Sequence, residues 1–212
     1  MTDDTTPNYN VVFATPPIQT SFFNFDEKII EVLKELEYVK SIGNTSSSDK
    51  YILKNYAKRR AIRNLKKHID GCLDDYVRTV FLSDQKLSIT QSWVNITSKG
   101  QSHSRHVHYN SIVSGVFYLK TSETTPPIIL DNHRCNFPVR PSQNLQQQDG
   151  ALNFVLNDTV SLSPQTGQLI LFPSDIVHSV PENTSDTDRI SLGFNTFFKR
   201  PFGSVEDSTY YD

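Results

Sequence analysis

The residues of this chain best suited to chemistry are its histidines, three of which lie within six positions. His103, His106 and His108 belong to the segment HSRHVHYN (103–110), which runs almost directly into the apolar segment SIVSGVFYL (111–119). In a β-strand, residues i and i+2 project to the same face. We therefore expect His106 and His108 to project side by side, a geometry in which two imidazoles can bind one metal ion. His103 is off this alternation and is predicted to face solvent or to lie behind the metal ligands.

A third candidate ligand lies far along the chain. His178 follows the strand-like segment GQLILFP (167–173) after a short turn. A histidine just past the end of a strand lies at the rim of a sheet, where binding sites are commonly built. Three histidines on one face would leave coordination positions open, which suits catalysis better than a closed structural site. Imidazole binds iron, zinc, copper and nickel, so the residue types leave the metal open. Loop histidines with ordinary hydrogen bonds are the alternative.

The strand-like segment RISLGFN (189–195) has a polar face that is unusual for a strand. Its apolar residues alternate with Arg189, Ser191, Gly193 and Asn195. We expect the apolar set to lie in the core and the polar set to line a wet cavity. An inward arginine next to a hydroxyl group is well suited to hold a carboxylate by charge-assisted hydrogen bonds. The alternative is a rim arginine paired with Asp186 or Asp188.

Two amphipathic helices are predicted in the N-terminal third, over residues 24–42 and about 55–81. Apolar residues recur at spacings of three and four in both segments, which is typical of a helix with one buried face. Asn24 or Asp26 is the candidate cap of the first helix. The stripes consist of Ile29, Val32, Leu33, Leu36 and Val39 in the first helix and of Ala61, Leu65, Ile69, Leu73, Tyr76 and Val80 in the second.

Short β-branched and aromatic segments dominate the chain after Leu82. They are residues 86–97, 111–120, 127–131, 150–157, 167–173 and 189–199, separated by turn-forming residues. Because no helical pattern falls between them, they predict an antiparallel sandwich or open barrel, with the helices covering one outer face of a sheet. The long connection 132–150 is a candidate lid that carries Arg134 and Arg140.

Length and charge narrow the class of protein further. The 212 residues fit a single domain, 1–212, with a mainly helical support region (1–82) and a β core (83–200). The net charge of −2 and the lack of a basic stripe argue against nucleic-acid binding. No apolar run is long enough for a membrane span, and neither a signal-peptide pattern nor more than two cysteines is present, so we expect a cytoplasmic protein.

The order of these motifs resembles a known enzyme superfamily. The motifs are WVN, H-x-H, SGVFY, GQLILFPSDIVHSVPEN and RISLGFN, within residues 88–198. They are similar to the 2-oxoglutarate/Fe(II)-dependent oxygenases, and most of all to a bacterial and phage subgroup with an H-x-H motif. A phage origin would place the protein in the host cytoplasm. The resemblance implies a double-stranded β-helix (jelly-roll, cupin-like) core with helices on one side, hence an α+β class that is mainly β.

The resemblance also assigns roles to individual residues. His106 stands at the first histidine of the superfamily's H-x-D/E motif, and His178 stands at its distal histidine. Arg189 and Ser191 match the R-x-S motif that binds the distal carboxylate of 2-oxoglutarate, and Tyr118 could add a hydrogen bond to the cosubstrate. His106, His108 and His178 are thus the expected catalytic metal ligands.

His108 departs from the superfamily pattern because it occupies the position of the usual carboxylate ligand. One interpretation is that His108 binds the metal, giving a three-histidine site with one more unit of positive charge. The other is that His108 lies beside the metal and the third position is taken by water, by Asn110 or by nothing. We favour ligation, since the subgroup carries histidine there.

The activity implied by the resemblance is hydroxylation of a C–H bond, with Fe(II) as cofactor and 2-oxoglutarate and O2 as cosubstrates. Succinate and CO2 would be the coproducts. The substrate would be a small molecule or a peptide, with prolyl or other amino-acid side chains suggested by analogy. Further candidate pocket residues are Trp93, Asn95, Asp131 and Asn195. The alternatives are a three-histidine dioxygenase that does not use 2-oxoglutarate and a non-catalytic jelly-roll binding module. A homo-oligomer is compatible with all three interpretations.

Overall fold

The computed structural model describes residues 17–41, 43–131 and 159–199 of the chain. Within them the helices are α1 (Lys28–Lys34), α2 (Ile52–Asn55) and α3 (Arg60–Val80). The first six strands are β1 (Gln19–Phe22), β2 (Tyr38–Lys40), β3 (Thr45–Ser47), β4 (Leu87–Thr97), β5 (His103–His106) and β6 (Val113–Lys120). The others are β7 (Ile128–Asp131), β8 (Thr159–Leu162), β9 (Gln168–Pro173), β10 (His178–Val180) and β11 (Arg189–Phe198).

The strands form two antiparallel sheets. A seven-stranded sheet has the order β1-β9-β6-β11-β4-β3-β2, and a four-stranded sheet has the order β5-β10-β7-β8. The predicted class, mainly β with antiparallel sheets and few helices, is confirmed. None of the helices in the described part of the chain is long and apolar enough to cross a membrane.

The seven-stranded sheet separates two hydrophobic clusters, because successive residues of a strand point to opposite faces. Phe117 and Leu119 of β6 pack in the cluster that the helices cover. Val116 and Tyr118 of the same strand pack in a second cluster, with residues from β7 and β8 of the smaller sheet. The helices therefore cover one face of the large sheet, as predicted, and the small sheet covers the other.

The first helix is much shorter than predicted. Helix α1 ends at Lys34, and residues 38–40 form strand β2, which pairs with β3 at the edge of the large sheet. Leu36 is still buried, whereas Val39 is half exposed. Pairing with β3 outweighs the helical periodicity at this point, a tertiary effect that a local pattern does not contain. The N-cap is Glu27, which makes no side-chain cap hydrogen bond, so neither Asn24 nor Asp26 is the cap. The Asp26 carboxylate accepts a hydrogen bond from the Lys28 N–H just inside the helix.

The second helix agrees well with its prediction. Its apolar stripe is buried from Ala61 to Tyr76, and Val80 packs against the same cluster. The start differs, because residues 52–55 form the separate short helix α2 before α3 begins at Arg60.

Five of the six predicted strands are present, as β4, β6, β7, β9 and β11. The sixth, residues 150–157, lies outside the described residues, as do the connection 132–150 and its two arginines. The strands that were not predicted are β1, β2, β3, β5, β8 and β10, none longer than four residues. Three of them belong to the region 1–82, so the N-terminal third adds strands as well as helices to the fold. The division of the chain at residue 82 stays a prediction.

Gly115 on β6 should not tolerate a side chain. A Cβ atom at this position would lie 2.1 Å from Cζ of Phe194, a fully buried ring on β11. We expect Gly115→Ala to lower the free energy of unfolding by about 1–3 kcal/mol, measured by urea denaturation. The matched control is Gly71→Ala in α3, where a Cβ would meet nothing within 4 Å. This control should raise stability by about 0.5–1 kcal/mol. Equal effects of the two substitutions would contradict the packing argument.

Candidate metal centre

Three histidines converge where the smaller sheet meets the turn before β10. His106 is the last residue of β5, His178 is the first residue of β10, and the two are direct partners in the ladder. His108 completes the group, and one nitrogen from each of the three rings lies within 4.8 Å of the others. A metal ion that binds imidazole nitrogens at about 2.0–2.1 Å would need only small ring movements to contact all three.

His108 reaches this group by a route other than strand alternation. Strand β5 ends at His106, so His108 lies in the following loop. Its backbone N–H donates to the Ser174 carbonyl, which ties the loop to the turn that precedes His178. The His108 ring lies 5.1 Å from each of the His106 and His178 rings, between centroids. The expectation of an extended strand through His108 is therefore wrong, although the predicted proximity of the two rings is present.

Hydrogen bonds set the tautomer of two of these histidines. Nδ1 of His106 lies 2.8 Å from the Ser104 carbonyl oxygen, and Nδ1 of His178 lies 2.9 Å from the Ile176 carbonyl oxygen. A carbonyl oxygen only accepts, so Nδ1 carries the proton and the lone pair of Nε2 is left for a metal. The His108 ring makes no such bond within the described residues.

His103 lines the cavity and lies outside the group of three histidines that could hold a metal, which agrees with the expected position behind the ligands and not with one facing solvent. Its ring stacks on that of His106, with the centroids 4.3 Å apart. The ladder explains this position, because His106 and His103 pair with His178 and Val180, so three steps along β5 match two along β10. Such a bulge re-aims side chains that simple alternation would place on opposite faces.

Burial keeps several of these imidazoles neutral. It lowers the pKa of His103 and of His108 to about 4, with the nearby His106 ring adding to the effect. The pKa of His178 falls to about 3, again mainly through burial and then through His106. The neutral imidazole is the form that binds a metal, so these rings are ready to bind one at neutral pH.

Arg189 lies deep in the structure without a carboxylate partner among the described residues. It is 3% exposed, and its Nη1 and Nη2 donate to Ser191 Oγ at 3.4 Å and to Tyr118 Oη at 3.3 Å. The predicted alternative of a rim arginine paired with Asp186 or Asp188 does not occur in the described structure, because Arg189 is buried and forms no ion pair there. Asp186 pairs with Lys99 instead. A buried cation without a counterion is unfavourable, so the site is suited to an anionic ligand.

The histidines and Arg189 line one shared cavity. Its other polar lining residues are Asn95, Ser114 and Ser191. The remaining lining residues are aromatic, aliphatic or glycine: Trp93, Gly115, Val116, Ile128, Phe172, Val180 and Gly193. No acidic residue lines it in the described part of the chain, so the cavity combines a guanidinium and four imidazoles with no negative charge.

The four further candidate pocket residues divide into two pairs. Trp93 and Asn95 line the cavity, and Gly193 makes room for the indole, because a Cβ there would lie 3.0 Å from it. Asp131 and Asn195 are not among the lining residues. Asp131 forms an ion pair with Arg105, and the amide group of Asn195 accepts from Ser114 Oγ and donates to Gln91 Oε1.

A serine network that the sequence analysis missed joins the segments carrying His108 and His178. The Ser114 and Ser174 hydroxyl oxygens are 2.8 Å apart, and Ser174 Oγ donates to Ser111 Oγ at 2.7 Å. Ser114 also lines the cavity, and Asn195 is linked to the site through its hydrogen bond with Ser114. Alternation back from Tyr118 along β6 would have placed Ser114 on the cavity face.

The donor set fits a metal and an anionic cosubstrate. Two imidazoles have their Nδ1 protons fixed on carbonyl oxygens, and the third ring is in reach. The buried Nε of Arg189 has no hydrogen-bond partner in the described structure. An unsatisfied buried donor beside a cavity marks the place of a missing acceptor.

Comparison with known proteins agrees with this chemistry. The sequence model of the family described as "Putative 2OG-Fe(II) oxygenase" matches residues 91–195. This segment contains the three clustered histidines, Arg189 and Ser191. No curated protein gives a significant sequence match to the chain.

Solved structures of similar fold are oxygenases at low sequence identity. HygX from Streptomyces hygroscopicus, with nickel, 2-oxoglutarate and hygromycin B bound, has a TM-score of 0.57 and 13% identity, with coverage of 86% of this chain and 83% of that one. A Pseudomonas putida prolyl-4-hydroxylase has a TM-score of 0.54, 13% identity and coverage of 87% and 93%. An oxidoreductase of the 2OG-Fe(II) oxygenase family from Burkholderia pseudomallei has a TM-score of 0.51, 12% identity and coverage of 80% and 76%.

The matched family and the site together identify the class of protein. The chain belongs to the 2-oxoglutarate/Fe(II)-dependent oxygenase superfamily. It is accordingly an enzyme whose cofactor is Fe(II) and whose cosubstrates are 2-oxoglutarate and O2.

The lowered histidine pKa values predict that the metal-free fold loses stability in mild acid. Between pH 6.5 and about 4 the unfolded chain binds protons at His103 and His108 that the folded chain does not, and His178 extends this window to about pH 3. The contribution of these neutral histidines to the free energy of unfolding is therefore fully present above pH 6.5 and is lost as the pH is lowered. Urea denaturation of the metal-free protein at pH 7 and pH 5 measures the difference, which should shrink in His178→Gln. Equal stability at the two pH values would contradict the prediction.

Proposed function

We propose that His106, His108 and His178 bind the Fe(II) ion and that Arg189, with Ser191 and Tyr118 around it, binds the distal carboxylate of 2-oxoglutarate. The observation that carries this proposal is the buried, carboxylate-free guanidinium of Arg189 in the same cavity as the histidine cluster. A metal site alone would not require it. A non-catalytic binding module would require neither group.

Each part of the cavity has a task in this proposal. The carbonyl oxygens of residues 104 and 176 hold the rings of His106 and His178 with Nε2 free. Ser191 and Tyr118 orient the guanidinium, which then orients the cosubstrate by charge-assisted hydrogen bonds. The apolar lining limits water in the cavity, which strengthens these electrostatic contacts.

Bound Fe(II) would supply the redox chemistry that couples decarboxylation of 2-oxoglutarate to oxidation of a substrate C–H bond. We infer that the reaction is a hydroxylation that yields succinate and CO2. A substrate with prolyl or other amino-acid side chains is the candidate we favour, and the similarity in fold to a prolyl-4-hydroxylase supports it by analogy.

We further propose that the two sheets form a double-stranded β-helix core. The support is their arrangement as seven and four antiparallel strands around a shared apolar cluster, with the cavity between them. Residues 83–200 would be this core, and residues 1–82 would support it from the helix side. The resemblance to bacterial and phage proteins remains a prediction about origin.

Anaerobic titration with Fe(II) and 2-oxoglutarate tests the proposed site. We expect the weak visible charge-transfer band of the bound chelate in the wild type and no iron retention in His178→Ala. In Arg189→Ala the binding free energy of 2-oxoglutarate should become less favourable by roughly 2–5 kcal/mol, because the carboxylate loses its charged partner.

Arg105→Ala is the matched control for Arg189→Ala. Arg105 is a mostly exposed arginine on β5 that pairs with Asp131 outside the cavity lining, so its loss should leave 2-oxoglutarate binding unchanged. Absence of the charge-transfer band in the wild type would contradict the proposal. Iron binding without any 2-oxoglutarate dependence would instead favour a three-histidine dioxygenase that does not use this cosubstrate.

Substitution of His108 tests whether it is a ligand. If it binds the metal, His108→Asp restores the superfamily's usual carboxylate and should keep or increase the affinity for Fe(II), whereas His108→Ala should lower it at least about tenfold. Asn110→Asp is the control, because Asn110 is exposed and lies outside the cavity lining. Unchanged affinity in both His108 variants would show that His108 only stands beside the metal, and a gain in Asn110→Asp would move the third ligand to that position.

A further inference from the structure

The buried polar atoms that lack a hydrogen-bond partner are concentrated in one place. Across residues 17–41, 43–131 and 159–199 there are four such side-chain atoms: Nδ2 and Oδ1 of Asn44, Oγ1 of Thr97 and Nε of Arg189. All three residues are at most 3% exposed. Unsatisfied buried groups are rare in folded proteins, and each one calls for an explanation.

Thr97 and Arg189 lie on neighbouring strands of the large sheet, and Asn44 directly precedes strand β3. Arg189 of β11 is the direct partner of Thr97 of β4. On the other side of β4, Thr45 of β3 pairs with Ile96. One further step along the same register would place Asn44 opposite Thr97. Directly opposed residues of antiparallel strands have side chains on the same face, about 4.5–5.5 Å apart.

This face is the one that lines the cavity. Two residues before Thr97 on β4 is Asn95, and two residues after Arg189 on β11 is Ser191, and both of these line the cavity. Neither Thr97 nor Asn44 is among the residues that line the cavity. Since residues two apart on a strand share a face, Thr97 lies on the cavity side of the sheet, next to the lining residue Arg189. Asn44 lies outside both the sequence motifs and the segment matched by the family model. Thr97 lies inside that segment, close to its start.

The backbone carbonyls of Thr97 and Asn44 both have hydrogen-bond partners. The Thr97 carbonyl accepts from Asn183 Nδ2 at 2.8 Å, and the Asn44 carbonyl accepts from the Ser41 N–H at 2.8 Å. Among the described residues, the unpaired buried side-chain atoms belong to Asn44, Thr97 and the guanidinium Nε of Arg189. Of the four atoms, three are donors or can donate: Asn44 Nδ2, Thr97 Oγ1 and Arg189 Nε.

We propose that Asn44 and Thr97 form, with Arg189, the end wall of the cosubstrate pocket and donate hydrogen bonds to the distal carboxylate of 2-oxoglutarate. This rests on the proposed function of Arg189. A carboxylate is an acceptor only and has room for several donors, so it would satisfy three of the four unpaired atoms at once. The Nη atoms of Arg189 stay with Ser191 and Tyr118, which orient the guanidinium from its other side.

Calorimetric titration of the Fe(II)-loaded protein with 2-oxoglutarate under anaerobic conditions tests this assignment without relying on turnover. Thr97→Val removes only the hydroxyl, and we expect the dissociation constant to rise at least fivefold. Asn44→Leu should have a comparable effect. The Thr97 hydroxyl and the Asn44 side-chain amide have no hydrogen-bond partner in the described structure. The melting temperature of metal-free Thr97→Val should therefore be unchanged or higher than that of the wild type.

Thr196→Val is the matched control. Thr196 is also fully buried, on β11, but its hydroxyl donates to the Val113 carbonyl at 2.7 Å and accepts from the Val113 N–H at 3.2 Å. This variant should lower the melting temperature and leave the dissociation constant of 2-oxoglutarate unchanged. Thr97 and Thr196 should thus show opposite patterns, which a merely structural role for Thr97 would not produce.

The outcomes separate the two proposals. If wild type binds 2-oxoglutarate in an Arg189-dependent way and Thr97→Val binds within twofold of it, the assignment of Thr97 is overturned and the proposed function stands. The same holds if Thr97→Val lowers the melting temperature as much as Thr196→Val does without weakening binding. If wild type shows no metal-dependent binding of 2-oxoglutarate, the proposed function fails and this inference fails with it.

Discussion

The arrangement of the site depends on the alternation of side chains along the central strand β11. This strand pairs with β4 over almost its entire length and with β6 over more than half of it. It therefore cannot rotate about its own axis without breaking the hydrogen bonds to both neighbours. Its apolar residues Leu192 and Phe194 are buried against the helices. Arg189 and Ser191 belong to the other set of alternating residues on this strand and must therefore face the smaller sheet. The packing on the helix side thus holds the guanidinium inside the protein.

The burial of Arg189 gives the cavity its electrostatic character. Its positive charge is not balanced by any carboxylate in the lining that the structure describes, and the nearby imidazoles are kept neutral by burial. Such a cavity favours anionic ligands and neutral donor nitrogens for a metal, but it disfavours a protonated histidine. The pKa of His103 is lowered first by burial and then by the nearby His106 and Arg189 charges.

By the sequence resemblance, His108 stands where the usual superfamily pattern has a carboxylate. Two of the clustered histidines have carbonyl partners that orient them, whereas the His108 ring is placed by its loop and by neighbouring rings, including Trp93. Gly193 gives this indole its space, so a glycine on β11 and a tryptophan on β4 together shape the wall beside His108. A ring that is packed without an orienting hydrogen bond is freer to rotate than its two partners.

Much of the molecule follows from local pattern. The long strands, helix α3 and the inward arginine follow from periodicities of two and of three to four, which report which side of an element is buried. The histidine segment was visible as a concentration of one residue type. Its geometry was not, because the bulge that brings His103 onto His106 depends on pairing of β5 with the distant strand β10. The loop that carries His108 depends on a hydrogen bond to Ser174 in the turn before that strand.

Long-range pairing also decided what local pattern got wrong or left out. The end of the first predicted helix became strand β2 because an edge of the sheet was available to it, and the short strands β1 and β3 have too few residues to show a period. The row of Asn44, Thr97 and Arg189 joins three distant segments. The sequence by itself determined which residues could serve a metal and a carboxylate, since that is set by side-chain chemistry and by alternation. Only the tertiary structure decided which of them meet, because cross-strand register is fixed by the whole sheet.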